Sequence, residues 1–372
     1  MQWSSVHIRG IGATLGKLVP VAPGHRTGQQ SISIADQSTG MDLAVSSANA
    51  ALSALAQITN GPLPVPELHL HSAIWRGSRG IDFWSRANYI RAKLGLPPGP
   101  GITAELNAMS NSLVGGIDLG SRMLAGSADL NHILLTGGEV FGPPAFDHLN
   151  ADHGIAYGDG GSALILGRLP GFARVLSTAS YTDPTLEQLH RGHSRFPPAG
   201  TTDPGPERVR ERKRQYLATV GTTSINLRNA HGIRHAFNHA LADAGLIADQ
   251  LAWILLPHYG QPLLDAHCLR PLGISAERTL SQDGSRWGHI GPNDQIIGLA
   301  RLLARADVQT GDHVALVGVG VGMTWTVAVL RIERVPGNHR FQTSLFQSTE
   351  QRDDPPPGLA RLPHTSQPSA EP

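Results

Sequence analysis

Two hydrophobic periods take turns along this chain. Val6 to Leu15 alternates with period two and carries glycines near its end, which predicts a first strand. Gly40 to Gln57 returns apolar residues at helical spacing, with Leu43, Ala44, Ala48, Ala51 and Leu52 on one side. Glu67 to Ile74 is strand-like. Asp82 to Leu94 is helical and is stopped by Gly95-Leu96-Pro97-Pro98. An extended run from Ile102 to Leu106 leads into a helical pattern carried by Leu113, Ile117, Leu119 and Met123. His132 to Thr136 is an apolar strand closed by Gly137-Gly138, and His153 to Gly167 predicts a strand hairpin around Tyr157-Gly158-Asp159-Gly160-Gly161. Further on come a long helix over Thr223 to Leu246, a buried strand over Leu251 to Pro257, and helices over Gln261 to Leu272 and Asn293 to Ala306. A glycine-broken strand pair covers His313 to Ile332.

The pattern runs twice. Each half ends on a glycine-rich antiparallel pair, His153 to Gly167 and His313 to Ile332. Each half also has a strand that delivers a reactive-looking group at its end, Ser110 and His258. This predicts an α/β fold built from a duplicated unit. The first half spans residues 1–168, a polar, Pro-rich connection 169–222, and the second half 223–335. The tail, 336–372, is rich in Gln, Pro and Ser and is expected to be disordered. Strand ends are where open α/β sheets place their ligands.

Composition narrows the function classes. The 372 residues carry a net charge of +1 with no basic stripe, which argues against a nucleic-acid partner. The single cysteine, Cys268, rules out an internal disulfide and falls on the apolar side of a helical pattern, where it reads as a packing residue. No apolar run approaches the ~18 residues of a membrane span, and the first residues lack a signal-peptide pattern, so a cytoplasmic setting without membrane contact is expected. The 18 histidines, including His69 and His71 on one strand face and His148 near His153, show no His-Glu-x-x-His or Cys/His spacing. No metal is expected.

Ser110 is the leading chemical candidate. It falls on a strand-to-helix turn, which lifts a side chain out of the sheet toward the positive end of a helix. On local sequence alone the commoner reading is a helix N-cap. A serine hydroxyl is a poor nucleophile unless a base takes its proton. Three further segments stand out: Pro257-His258-Tyr259-Gly260-Gln261, Gly288-His289-Ile290-Gly291-Pro292-Asn293-Asp294, and Gly318-Val319-Gly320-Val321-Gly322-Met323-Thr324-Trp325. The Gly158 to Ala163 run lacks the ending of a phosphate loop.

These segments, in this order, resemble the ketoacyl-ACP synthase III branch of the thiolase superfamily, from about Val6 to Glu333 with a poor match near 170–222. The resemblance implies a duplicated, five-layer αβαβα architecture and a homodimer joined through the first half's sheet. It sets Ser110 where the family carries its acyl group on cysteine. His258 keeps the histidine of the family's His-Gln-Ala-Asn, and His289 replaces the asparagine that polarises a malonyl thioester. Asp294 follows at the start of a helix. A catalytic set of Ser110 as nucleophile, His289 as base and Asp294 as orienting acid then emerges, with His258 also in the active site. The backbone N–H groups of Ser110 and Val321 would form the oxyanion hole. Gly158 to Ala163 resembles the family's structural Gly-Asp-Gly turn. A serine-nucleophile subgroup of the family, from antibiotic polyketide pathways, is similar in both changes.

The expected donor is a CoA or phosphopantetheine thioester, presented as acyl-CoA or on an acyl carrier protein, and no resident cofactor is expected. An oxyester is less activated than a thioester, so passing the acyl group from Ser110 to a small-molecule hydroxyl or amine is favoured over return to a thiol. The leading expectation is an acyltransferase of secondary metabolism. Two alternatives remain open: a starter-unit ketosynthase that condenses a short acyl-CoA with malonyl-ACP, and a non-catalytic partner subunit.

Overall fold

The computed structural model describes residues 1–59, 61–74, 84–193, 208–336 and 346–348. In chain order, β1 (His7–Leu15) is followed by β2 (Lys17–Pro20), β3 (Ser31–Ile34) and α1 (Gly40–Ala56). Next come β4 (Leu68–Ser72), α2 (Arg86–Lys93), β5 (Ile102–Glu105), α3 (Ser112–Gly126), β6 (His132–Glu139) and β7 (Gly160–Gly167). After these lie β8 (Ala173–Thr182), α4 (Gln188–Arg191), α5 (Val209–Val220), α6 (Thr222–Ala244) and β9 (Trp253–Leu255). Then α7 (Gln261–Leu264), α8 (Arg270–Leu272), α9 (Ser281–Trp287) and α10 (Asp294–Leu303) precede the hairpin β10 (His313–Gly320) and β11 (Thr324–Ile332), with β12 (Phe346–Ser348) last.

The main strands run in the order β5-β4-β6-β7-β1-β8-β11-β10-β9. β1 pairs with β7 along its whole length but meets β8 only at His7 and Ile8. That brief junction divides the strands into two groups. α1 covers β1, β6 and β7 on one outside, and α6 covers β8 and β11 on the other. Between them, α3 touches β6 and β7 on one side and β10 and β11 on the other, while α10 reaches β1, β7, β9 and β10. The result is the five-layer αβαβα arrangement that the family resemblance implies.

Close helix–sheet approach explains the glycines of β1. A Cβ at Gly10 would lie 2.4 Å from the Ala51 carbonyl oxygen, and one at Gly12 would lie 2.2 Å from that of Ser47. The small face of α1, with Ala44, Ala48 and Ala51 buried, therefore sits directly on the strand. Thr39 and Asp42 cap α1 reciprocally, worth about 1 kcal/mol. Gly245, at φ 68°, ends α6 in the left-handed region.

Several expectations need correction. Only Gly160–Gly167 of the first predicted hairpin is strand, and β7 pairs with β1 and β6. The preceding residues form a loop because buried Asp159 spends its bonds elsewhere. Its carboxylate accepts the Ala35 and Phe141 N–H groups at 2.9 and 2.8 Å, and its own N–H goes to the Ser33 carbonyl at 2.7 Å. The stretch expected as a connection, 169–222, contains β8, which lies between β1 and β11. Its inward hydroxyls hid it: Ser177 donates to the Ala240 carbonyl at 2.6 Å, and Thr178 bonds Asp118. Gly137-Gly138 lies inside β6 rather than closing it, because α1 begins there: a Cβ at Gly138 would come within 1.9 Å of the Gly40 carbonyl oxygen. In α3, Leu119 and Met123 are exposed while Leu124 is buried. The predicted start of the second helix, Asp82, lies outside the described residues, and α2 begins at Arg86. In the tail, Phe346–Ser348 pairs in parallel with β1, and residues 337–345 and 349–372 lie outside the described residues.

His69 and His71, paired by pattern, both reach the Thr136 hydroxyl, at 2.8 and 3.0 Å. Burial, then His71 and Arg91, push the His69 imidazole down to about 3. Unfolded, it titrates near its ordinary value of about 6.5. Between those values the unfolded chain binds the extra proton, so stability falls as pH falls. The expected loss from this one ring is up to about 1.4 kcal/mol per pH unit from pH ~6.5 downward. Urea unfolding at pH 7 and pH 5 checks it: the midpoint should drop, and His69→Gln should blunt the drop. Equal midpoints would mean that His69 protonates freely inside the fold.

Candidate active site

The Ser110 turn is assembled from local and distant contacts. After β5 the chain passes through Met109, at φ 53°, and a tight turn over Met109–Asn111 before α3 begins. A left-handed non-glycine residue costs about 1–3 kcal/mol and marks an over-determined site. Ser112 pins the turn by accepting the Ala108 N–H at 2.8 Å and donating to the Met109 carbonyl at 2.7 Å. Asn111 donates to the Thr326 hydroxyl on β11 at 2.8 Å. The β10–β11 hairpin presses against this turn: a Cβ at Gly320 would lie 2.3 Å from the Ala108 carbonyl oxygen, and one at Gly318 would lie 2.2 Å from Asn111 Oδ1. That packing brings Val321, at the hairpin tip, to the same cavity as Ser110.

Ser110 does not use its side chain as a cap. Its Oγ lies 2.8 Å from His289 Nε2. His289 follows Gly288, which ends α9 at φ 77°. Its backbone is fixed on both sides, the N–H on the Ala156 carbonyl at 2.8 Å and the carbonyl on the Gly158 N–H at 3.0 Å. On the far side of the ring, Nδ1 lies 2.5 Å from Asp294 Oδ2. Asp294 is fully buried at the start of α10 and accepts the Ile290 N–H on Oδ1 and the His258 N–H on Oδ2, both at 2.7 Å. Burial alone would raise its carboxyl, but His258 and His289 and the hydrogen bonds outweigh that and hold it below the usual carboxylate range. The ionised acid accepts a hydrogen bond from Nδ1–H and so holds the proton on that nitrogen, leaving the Nε2 lone pair to face the Ser110 hydroxyl. Tyr157 and Tyr259 flank the imidazole, each ring centroid 5.4 Å from it.

Residues 241–332 match the 3-oxoacyl-(acyl-carrier-protein) synthase III C-terminal family. The chain is similar to the beta-ketoacyl-(acyl-carrier-protein) synthase III of Rhizorhabdus wittichii, 26% identical over 259 residues, covering 67% of this chain and 72% of that protein. The enzyme of the same name from Thermosynechococcus vestitus is 28% identical over 184 residues, covering 48% of this chain and 52% of the relative. Among solved structures, ChlB3, named as an acyltransferase, superposes with a TM-score of 0.80 at 24% identity, over 89% of this chain and 98% of that one. A variant of Xanthomonas campestris OleA gives 0.70 at 17% identity, over the same shares. Residues 241–332 thus carry a ketoacyl-ACP synthase III C-terminal domain, and the chain as a whole has the fold of these two solved structures.

Ser110 and His289 open onto a cavity of about 90 Å³. One water needs about 10–15 Å³ on such a measure, so a short acyl group has room. Cys268 is buried and lines this cavity from the π-helical turn Asp265–Leu269; burial pushes its thiol up to about 12, which keeps it unreactive. Among the described residues, no group of three or more His, Cys, Asp or Glu is placed to hold a metal ion.

His258, expected in the active site, stands beside Asp294. His258 does not line the Ser110 cavity. Its backbone N–H and its ring, with Nδ1 3.3 Å from Asp294 Oδ1 and 3.2 Å from the Gly288 carbonyl oxygen, address the far side of the acid. Its ring packs edge-on against Trp287 at 5.3 Å. Burial outweighs the attraction of Asp294 and lowers this imidazole, so His258 is neutral at neutral pH. The tyrosines beside His289 escaped sequence reasoning, although each stood next to a chosen motif, Tyr157 before Gly158 and Tyr259 after His258. Asp152, Lys213, His190 and His267, which line the cavity, carried no local signal.

Proposed function

We propose that this protein is an acyltransferase that takes a short acyl group from acyl-CoA or an acyl carrier protein onto Ser110 and passes it to a hydroxyl or amine acceptor in secondary metabolism. The observation that carries the reading is the chain of contacts Ser110 Oγ, His289 Nε2, His289 Nδ1, Asp294 Oδ2, at 2.8 and 2.5 Å. His289 takes the Ser110 proton as Oγ attacks the thioester carbonyl, and the backbone N–H groups of Ser110 and Val321 receive the oxyanion. The thiolate leaves with the proton from His289. His289 then takes a proton from the acceptor, which attacks the acyl ester, and Ser110 Oγ regains its proton.

The curated relatives are named for acyl carrier protein, which supports a thioester donor of the CoA or carrier type. Their name also favours a second reading, condensation with a malonyl thioester. Against it, His289 stands on Ser110 in the family's asparagine position, and His258 is committed to Asp294. The homodimer of the family would join at β5, which ends the strand order with Ile102 63% exposed.

Intact-protein mass spectrometry after incubation with short acyl-CoAs and acyl carrier proteins tests the reading. A gain of one acyl mass, then discharged by hydroxyl or amine acceptors and not by malonyl carrier protein, is the expected result. A β-ketoacyl product with carbon dioxide release would install the condensation reading, and no adduct with any donor would overturn both.

A further inference from the structure

We infer that the cavity beyond Ser110 selects an acyl group bearing an uncharged oxygen substituent, a hydroxyl or a carbonyl, recognised by the Lys213–Asp152 pair together with His190. The inference rests on the reading of Ser110 as acyl carrier. The ring of Tyr157 lies 5.4 Å from that of His289 and its hydroxyl donates to Asp152 Oδ2 at 3.3 Å, so one tyrosine side chain links the imidazole to the polar pair.

Asp152 is completely buried. It accepts Lys213 Nζ and the His153 N–H, both at 2.6 Å. Lys213 arrives from α5, 61 residues along the chain, and its side chain is 16% exposed. Burying such a pair costs more desolvation than its attraction returns unless further hydrogen bonds complete it. An ammonium has three N–H donors, and Asp152 is the hydrogen-bond partner of Lys213 among the described residues. His190 Nδ1 is shut off from solvent and has no partner among the described residues. These groups line the same cavity as Ser110, whose remaining wall includes Leu186, Leu189, Ile225 and Val319. The cavity is thus apolar along its sides with unused hydrogen-bonding capacity at one place.

The charge balance decides the substituent. His190 is held well below its ordinary range by burial and by Lys213, and the same two causes push His267 down to about 4. Both rings are neutral at neutral pH, so Lys213 and Asp152 cancel. A plain alkyl end would leave the donors of Lys213 and the nitrogen of His190 without partners, which costs affinity. A carboxylate would face Asp152 with one cation between two anions. A hydroxyl or carbonyl oxygen meets neither penalty.

The test compares butyryl-CoA with 3-hydroxybutyryl-, 4-hydroxybutyryl-, acetoacetyl- and succinyl-CoA, which share one CoA and pantetheine. Calorimetric binding to the Ser110→Ala protein reads recognition without acylation, and acylation of the native protein is followed by mass spectrometry. At least one oxygenated, uncharged donor should bind about tenfold or more tighter than butyryl-CoA. His190→Phe and the double variant Asp152→Asn/Lys213→Met should erase that preference, bringing the oxygenated donors to within about twofold of butyryl-CoA. The double variant removes both charges together, so no unpaired ion remains, and thermal melting confirms that it folds. Equal binding of all donors, tightest binding of succinyl-CoA, or variants that weaken every donor equally would overturn the inference, the last by placing the contact on pantetheine. A preserved binding preference without acylation of Ser110 would sink the acyl-enzyme reading and leave this selectivity standing.

Discussion

Ser110→Ala and His289→Ala are each expected to slow acyl transfer by on the order of 10⁶, and the double variant by no more than either single change. Nucleophile and base act as one unit: the Ser110 hydroxyl loses its proton only to the Nε2 that stands 2.8 Å away. Once either is gone, the other has nothing to act on. Single-turnover acylation, quenched and read by intact mass, measures both. Ser110→Cys separates the roles. A thiol ionises near pH 8.5 without help, so cysteine at this position should acylate detectably even in the His289→Ala background, where serine should not. If His289→Ala retained acylation within about tenfold of the native rate, the base would lie elsewhere in the cavity.

The meeting of Ser110, His289 and Asp294 is expected from the family resemblance, not from local pattern: on its own a strand that stops and a helix that starts reads as a cap, and Ser110 and His289 are 179 residues apart. His289 and Asp294 need only the tight turn Gly291–Asn293 between them to put an imidazole and a carboxylate on the same side. His258 shows the limit. Its place at a strand end was readable, but its direction is set by Trp287 and by Gly284, whose missing Cβ leaves room for the ring. Those contacts come from α9, and no spacing within 257–261 encodes them. The misread loop before β7 and the overlooked β8 share one cause. Asp159, Ser177 and Thr178 are polar yet buried, and each finds its partner on a distant segment. The polar place in the cavity is hidden in the same way, since Asp152, His190 and Lys213 meet only after the loop before β7, α4 and α5 have packed together.

Asp294→Asn is expected to lower the acylation rate by on the order of 10⁴ and stability by about 1–3 kcal/mol. The carboxylate accepts on both oxygens: Ile290 N–H on Oδ1, and His289 Nδ1 with His258 N–H on Oδ2. An amide has one acceptor and one donor end. With its oxygen at the Oδ2 position, its NH₂ faces the buried Ile290 N–H, which costs stability. With its oxygen at the Oδ1 position, its NH₂ donates to His289 Nδ1, which moves the ring proton to Nε2 and takes away the lone pair that Ser110 needs. Neither orientation restores the native site. His258→Ala provides the contrast, because the backbone N–H that holds Asp294 survives the substitution; its rate should stay within about tenfold of native. The pH dependence has a definite sign as well. A carboxylate held below its unfolded range contributes stability above pH ~4, lost as pH falls through the lower folded value. Asp294 therefore stays ionised through the working range, and a loss of activity between pH 7 and 5 would belong to an imidazole rather than to this acid. Acylation by Asp294→Asn within tenfold of native would mean that His289 is oriented without the carboxylate, leaving Asp294 a purely structural anchor for His258 and Ile290.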